Sequence, residues 1–223
     1  NSPRYSTGAR LVMGFASLLL LLGIAQLLYR YTLPTDGWAV YTEEIVESIY
    51  KFDRNLVGAS SDLQTADGVL AVDGIPLVGT ATSYYVPAPP GWHVGQSVVM
   101  LVQRGAEQIE IEVPVVQWTG TAVIRYNLLY PAQLAAITGA LMMLVVGWFT
   151  FLRRPEVPSA RALLILSTAV GATFISGLLP DGLSVQFNQT AFWFTVFYSY
   201  AIFGTLLAPA LFTFTLLFPK PKA

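Results

Sequence analysis

The chain has 223 residues, enough for one ordinary domain or two small ones. Charged residues make up 11% where a soluble domain carries about 25%, hydrophobic residues make up 54%, and the mean hydropathy is +0.58. This profile excludes a disordered chain, a coiled coil and a nucleic-acid binder built on basic surface, and it points to a membrane protein. Cysteine is absent, which removes disulfides, thiolate metal sites and cysteine nucleophiles, and the single histidine, His93, removes any multi-histidine metal cluster.

A helical span needs about 20 mostly apolar residues to cross about 30 Å of hydrocarbon. After a polar segment, 1–10, the first such stretch is Leu11 to Tyr29, with the run Leu18 to Leu22. Its length, the Tyr29-Arg30-Tyr31 that follows it and the lack of a small-x-small site at that end predict a retained anchor rather than a signal peptide. Three more stretches qualify: 132–152, 162–179 and 191–217. The fold class expected is therefore a membrane α-helical protein with four transmembrane helices and an inserted, extracytoplasmic, mostly-β domain over 36–118. A short stub, 218–223, ends the chain.

Charge predicts the orientation. From Arg30 to Arg125 there are 11 acidic and 5 basic residues. Arg4, Arg10, Arg153, Arg154, Arg161, Lys220 and Lys222 fall before the first stretch, between the second and third and after the fourth, with Glu156 the single acid in those three places. Short cytoplasmic loops collect Lys and Arg. Both termini are expected in the cytoplasm, with the insert and the Asp181 loop outside a bacterial plasma membrane. Tyr29, Tyr31, Trp38, Tyr126 and Tyr130 are expected at the outer headgroup zone, Trp148 and Phe149 at the inner one.

Within the insert, Val69 to Val72 reads as a short buried strand between the turn pairs Asp67-Gly68 and Asp73-Gly74. Ser97 to Gln103 and Gln108 to Val115 are two β runs around Arg104-Gly105-Ala106-Glu107, a hairpin pattern. Ile109, Ile111, Val113 and Val115 alternate with Glu110, Glu112 and Pro114, giving one dry and one wet face. Pro114 marks an edge strand or a strand end.

These stretches resemble known ones. Leu63 through Asp67-Gly68 to Asp73-Gly74 is similar to the "GL-x-x-GD-x-I-x-x-V-x-G" stretch of bacterial PDZ domains, with Ala66 and Asp62 at positions where that pattern has glycine. Val94-Gly95 through Arg104-Gly105 to Val115 resembles its closing hairpin. The resemblance makes Leu63, Asp67, Gly68, Asp73, Gly74, Gly95, Arg104 and Gly105 a structural signature. The layout of one span, a PDZ-like insert and further spans resembles the membrane input region of quorum-sensing-type sensor histidine kinases, as does the ending Leu211 to Pro219. Kinase motifs are absent. Asn1 in place of Met and the Pro-Lys-Pro-Lys-Ala ending lead us to expect a portion of a longer protein.

His93 reads as a solvated loop histidine and Glu43, Glu44 and Glu47 as a solvated acidic face. No Asp, Glu, Lys, Arg or His falls inside the four stretches, which argues against a pump or an intramembrane protease. The rings of the fourth stretch, from Phe192 to Phe214, read as lipid-facing and helix-packing. Gly139, Gly147, Gly171 and Gly177 offer small surfaces for helix contact, and Pro209 predicts a kink. No catalytic residue, cofactor or metal is expected, and the chain is not expected to be an enzyme. Two roles fit: a sensory input module passing a signal to a cytoplasmic effector, or a non-catalytic accessory subunit of a larger photosynthetic or respiratory membrane complex. Expected partners are membrane lipids, other membrane subunits or a self-dimer, and a peptide, but no nucleic acid.

Overall fold

The computed structural model describes residues 5–42, 50–77, 91–180, 183, 190, 193–195, 197 and 206–217. The chain divides into two units, one helical (Asn1–Leu28, Tyr130–Leu178, Phe194–Ala223) and one mostly β (Tyr29–Leu129, Leu179–Trp193).

Among the described residues three helices are long and apolar enough to cross a membrane: α1 (Thr7–Thr32), α3 (Pro131–Arg153) and α4 (Pro158–Ser176). At 1.5 Å per residue even the 19-residue α4 covers nearly 30 Å. Proline opens both α3 and α4, where its missing N–H would have had no partner anyway. Pro158 moves the start of α4 four residues ahead of the expected Ala162, and Gly177 caps its end. Leu178 and Leu179 are therefore outside the helix. Of the fourth expected stretch, residues 191, 192, 196 and 198–205 lie outside the described residues. Within it α5 (Ala208–Leu217) is helical, and Leu206 and Leu207 form a wider π-type turn just before Pro209, in keeping with the irregularity expected at that proline.

In the helical unit α4 packs against both α3 and α5. Over its most apolar 18-residue stretch 56% of residues are buried, against 22% in α1 and α3, so α4 is the central helix. Close approach depends on two glycines. A Cβ on Gly147 would fall on the Ser167 hydroxyl, and one on Gly171 would press on Leu144 at 3.2 Å. Gly139, by contrast, has no described neighbour within 4 Å. Its expected contact is not made among the described residues, where Ile137 and Ala140 are the residues that α3 turns inward at that level. Ala9 and Ala16 of α1 pack with Phe151 and Leu164, and Trp148 packs against that cluster.

The β unit is an antiparallel sheet in the order β2 (Trp38–Thr42), β3 (Tyr50–Asn55), β4 (Gly68–Val72), β6 (Ser97–Arg104), β7 (Glu107–Pro114). The short β5 (Ile75–Pro76) pairs with β4. β1 (Pro34–Thr35) pairs with β8 (Val116–Gln117), and Gln117 Nε2 donates to the Tyr31 carbonyl at 2.6 Å, so the two ends of the insert are fastened side by side. Asp73 and Gly74 join β4 to β5 with φ of 48° and 77°, as a two-residue type I′ connection requires. Gly105, with φ of 63°, and Ala106 join β6 to β7. The alternation of β7 holds: Ile111, Val113 and Val115 are buried and Glu110 and Glu112 exposed. Pro114 ends the edge strand.

The β core contains Phe52, Leu63, Val69, Val72, Trp92, Val98, Met100, Val102 and Val113. Two members correct the sequence reading. Trp38 is not a headgroup ring; it is buried, with its ring edge against Phe52 at 5.5 Å. Leu183, from the loop expected to be simply external, is fully buried in the same core. A further helix, α2 (Gly120–Leu129), was not expected; Thr119 Oγ1 caps it by accepting the Ala122 N–H at 3.1 Å.

Candidate functional site

The turn before β4 positions the signature residues. Ala66 has φ of 71°, the left-handed region that favours glycine. Its N–H donates to the Phe52 carbonyl at 2.7 Å, and the Phe52 N–H donates to the Asp67 carbonyl at 3.0 Å. The strained residue is thus held by β3, and the geometry aims the Asp67 carboxylate inward. Asp67 is 1% exposed. Its oxygens take a fork from Arg104, Nε to Oδ1 at 2.8 Å and Nη2 to Oδ2 at 2.7 Å, and Oδ2 also accepts the Gln64 N–H at 2.8 Å. Arg104 Nη2 donates as well to the Asp62 carbonyl at 2.8 Å. Burial pushes the Asp67 carboxyl up, but the Arg104 and Gln64 hydrogen bonds and the guanidinium charge outweigh it, so the group sits below its ordinary value. The hydrogen bond to Asp67 likewise raises Arg104. Asp67, expected as part of a turn pair, is also a buried anchor for Arg104, a partner 37 residues away.

Arg104 of this fork also borders a cleft of about 470 Å³, lined by Ser61, Asp62, Leu63, Gln64, Ile109, Glu110 and Ile111 as well. Leu63 and Arg104 are the signature residues that line it. The others serve the frame. Asp73 Oδ1 accepts the Val99 N–H at 2.8 Å while its own N–H donates to the Val99 carbonyl, tying the β4–β5 turn to β6. Gly95, with φ of 91°, turns the chain into β6 within a bond from the Gln96 N–H to the His93 carbonyl. Gly68 opens β4 opposite Gln103.

His93 is exposed, and no group of three or more His, Asp or Glu suited to a metal ion occurs among the described residues. Glu43, Glu44, Glu47 and Tyr84 to Pro90 lie outside the described residues. A second buried acid escaped the sequence reading. Asp36, between β1 and β2, is 1% exposed. Its Oδ1 accepts the Trp38 N–H at 3.0 Å and the Thr35 hydroxyl at 3.4 Å, while its Oδ2 is buried without a described partner. Burial, only partly opposed by these bonds, pushes its carboxyl up to about 6. No family model matches the chain, and no curated protein matches it either.

Proposed function

We propose that the chain is a membrane sensory input module of four spans, in which a PDZ-like outer domain passes a signal through the helices to a cytoplasmic effector. The carrying observation is Leu183. It is buried in the β core, yet it belongs to the segment Leu179–Trp193 that leaves and re-enters the helical unit. The chain passes between the two units at four points, after Leu28, Leu129, Leu178 and Trp193. A rearrangement of the β core therefore acts directly on the chain that follows α4. Ala66 supports the PDZ-like reading: it carries positive φ at the position where that pattern has glycine. Segregated basic residues support cytoplasmic termini in a bacterial plasma membrane. The signature residues act by shape and contact rather than by catalysis.

Since the chain has no cysteine, introduced thiols report without background. With the protein in nanodiscs, a solvent-sensitive dye at Ser159→Cys should change emission when Leu183 is replaced by Ala. Unchanged emission would defeat the sensor reading. In intact cells an impermeant thiol reagent should reach Ser83→Cys and not Ser159→Cys; the reverse pattern would overturn the orientation. A second reading, an accessory subunit of a larger complex, is favoured by the exposed rings of Trp193, Phe197 and Phe212. Isolation from native membranes in fixed proportion with other subunits would select it.

A further inference from the structure

The edge of the sheet at β7 is unpaired among the described residues. Its phase is fixed at both ends. Arg104 faces Glu107 across the two-residue turn, and at the far end Val115 exchanges bonds with Gly95 and Gln96 at 2.9 and 2.8 Å. Odd-numbered residues thus bond back toward β6, while Gln108, Glu110 and Glu112 turn their N–H and C=O groups to the open side. An eight-residue edge with unspent backbone groups is a template for another strand.

The surroundings select what that strand can be. On the exposed face it would run beside Glu110 and Glu112. On the opposite face, one of its side chains would enter the cleft lined by Leu63, Ile109 and Ile111. A second copy of this chain, paired edge to edge, would set Glu110 and Glu112 against the same two acids, which is destabilising across a ladder. Asp62 adds negative charge to the rim, and the cation at the cleft, Arg104, is already committed to Asp67.

We propose that the β7 edge docks an extended segment of another protein by strand addition, the segment carrying basic side chains on its outer face and an apolar side chain in the cleft. Main-chain bonds to Gln108, Glu110 and Glu112 provide the attachment, and the acids provide the selectivity. The inference rests on the β unit alone and holds whichever role the whole chain plays.

The test uses the full chain in phosphatidylcholine nanodiscs and an alternating Lys-Val heptapeptide, acetylated and amidated so that no terminal charge contributes. Saturable binding is expected, with slowed hydrogen exchange at Gln108, Glu110 and Glu112. A Glu-Val peptide should not bind, nor should a Lys-Val peptide N-methylated on the residues that face β7. Glu110→Lys, on the exposed face, should weaken the Lys-Val peptide roughly fivefold, and adding Glu112→Lys should transfer preference to the Glu-Val peptide. No binding, equal binding of the N-methylated peptide, or binding without protection of β7 would overturn the proposal. Protection of the same amides without peptide, lost on dilution, would assign the edge to a second copy and also overturn it.

Discussion

Glu156 caps helix α1 from the loop between α3 and α4: its Oε1 accepts the Ser6 backbone N–H at 2.9 Å and its Oε2 accepts the Ser6 hydroxyl at 2.6 Å. In an ordinary capping box the acid that reaches back to the N-cap N–H stands three residues on, in the helix itself. Here that position is Ala9, whose N–H donates to Ser6 Oγ, and the acid comes from 150 residues away. Arg161 completes the arrangement, donating to Glu156, to Ser6 Oγ and to the Pro155 carbonyl. The Ser6 bonds, reinforced by the Arg161 charge, hold the Glu156 carboxyl below its ordinary value.

Replacing Ser6 by Ala should loosen the first turn of α1 by about 1 kcal/mol, a usual cost for a lost N-cap. Glu156→Ala should speed amide exchange over the same turn. Because both act on one network, the double substitution should cost less than the sum of the singles. Additive effects in hydrogen exchange would show that the two residues are independent.

Two glycines of α3 should behave differently. Gly147→Leu forces a side chain onto Ser167 and should destabilise the helical unit by about 1–3 kcal/mol, or more, as overpacking does. A Cβ at Gly139 has no described atom within 4 Å, and Gly139→Leu should leave the thermal melt in detergent nearly unchanged. Equal losses at both positions would contradict the α3–α4 packing.

Ala66→Gly should stabilise the β unit. The left-handed conformation costs a non-glycine residue roughly 1–2 kcal/mol, and part of the gain is offset by the greater freedom of glycine in the unfolded chain. Gly74→Val should act in the opposite sense, since β-branched residues resist φ of 77°. Thermal melts of the whole chain measure both.

Stability should depend on pH through two aspartates of opposite sign. The folded value of Asp36, about 6, lies above its unfolded 3.8. Its contribution is full below pH 3.8 and is lost as pH rises through about 6, a change of about 3 kcal/mol. Asp67 is depressed in the folded state. Its contribution is present above pH 3.8 and is lost as pH falls through its lower folded value. Asp36→Asn should therefore melt above the native chain at pH 7 and lose that advantage near pH 4. Parallel melting curves across this range would refute the assignment.

Much of the frame was legible because it is periodic. The alternation of β7 and the long apolar runs of α1, α3 and α4 are local signals, and the structure shows all four elements. What was missed depends on distance in sequence. Asp67 with Arg104 looks like two solvated charges until the hairpin brings them together. Trp38 has the composition of an interface ring and the position of a core residue. Asp36 stands in a Pro-Thr-Asp-Gly stretch that reads as an exposed turn. Helix α2 mixes polar and apolar residues too evenly to stand out, although Thr119 before Gly120 offered a capping signal. The cleft beside Arg104 was only partly in view, since Leu63 and Arg104 stood out in the sequence while Ile109 and Ile111 read only as a strand's dry face.

The fastening of β1 to β8 makes the insert look portable, a cassette that could be moved between helices of unrelated membrane proteins with little disturbance to either. Leu183 denies it that freedom. A transplanted insert would leave behind a side chain its own core needs, and the host would be left with an apolar residue in search of a cavity. The insert and the distant loop form one core. In relatives, a change in the volume of Met100, Val102 or their neighbours should be matched by a compensating change at position 183, a correlation across roughly eighty residues that the short-range patterning of the strands would never suggest.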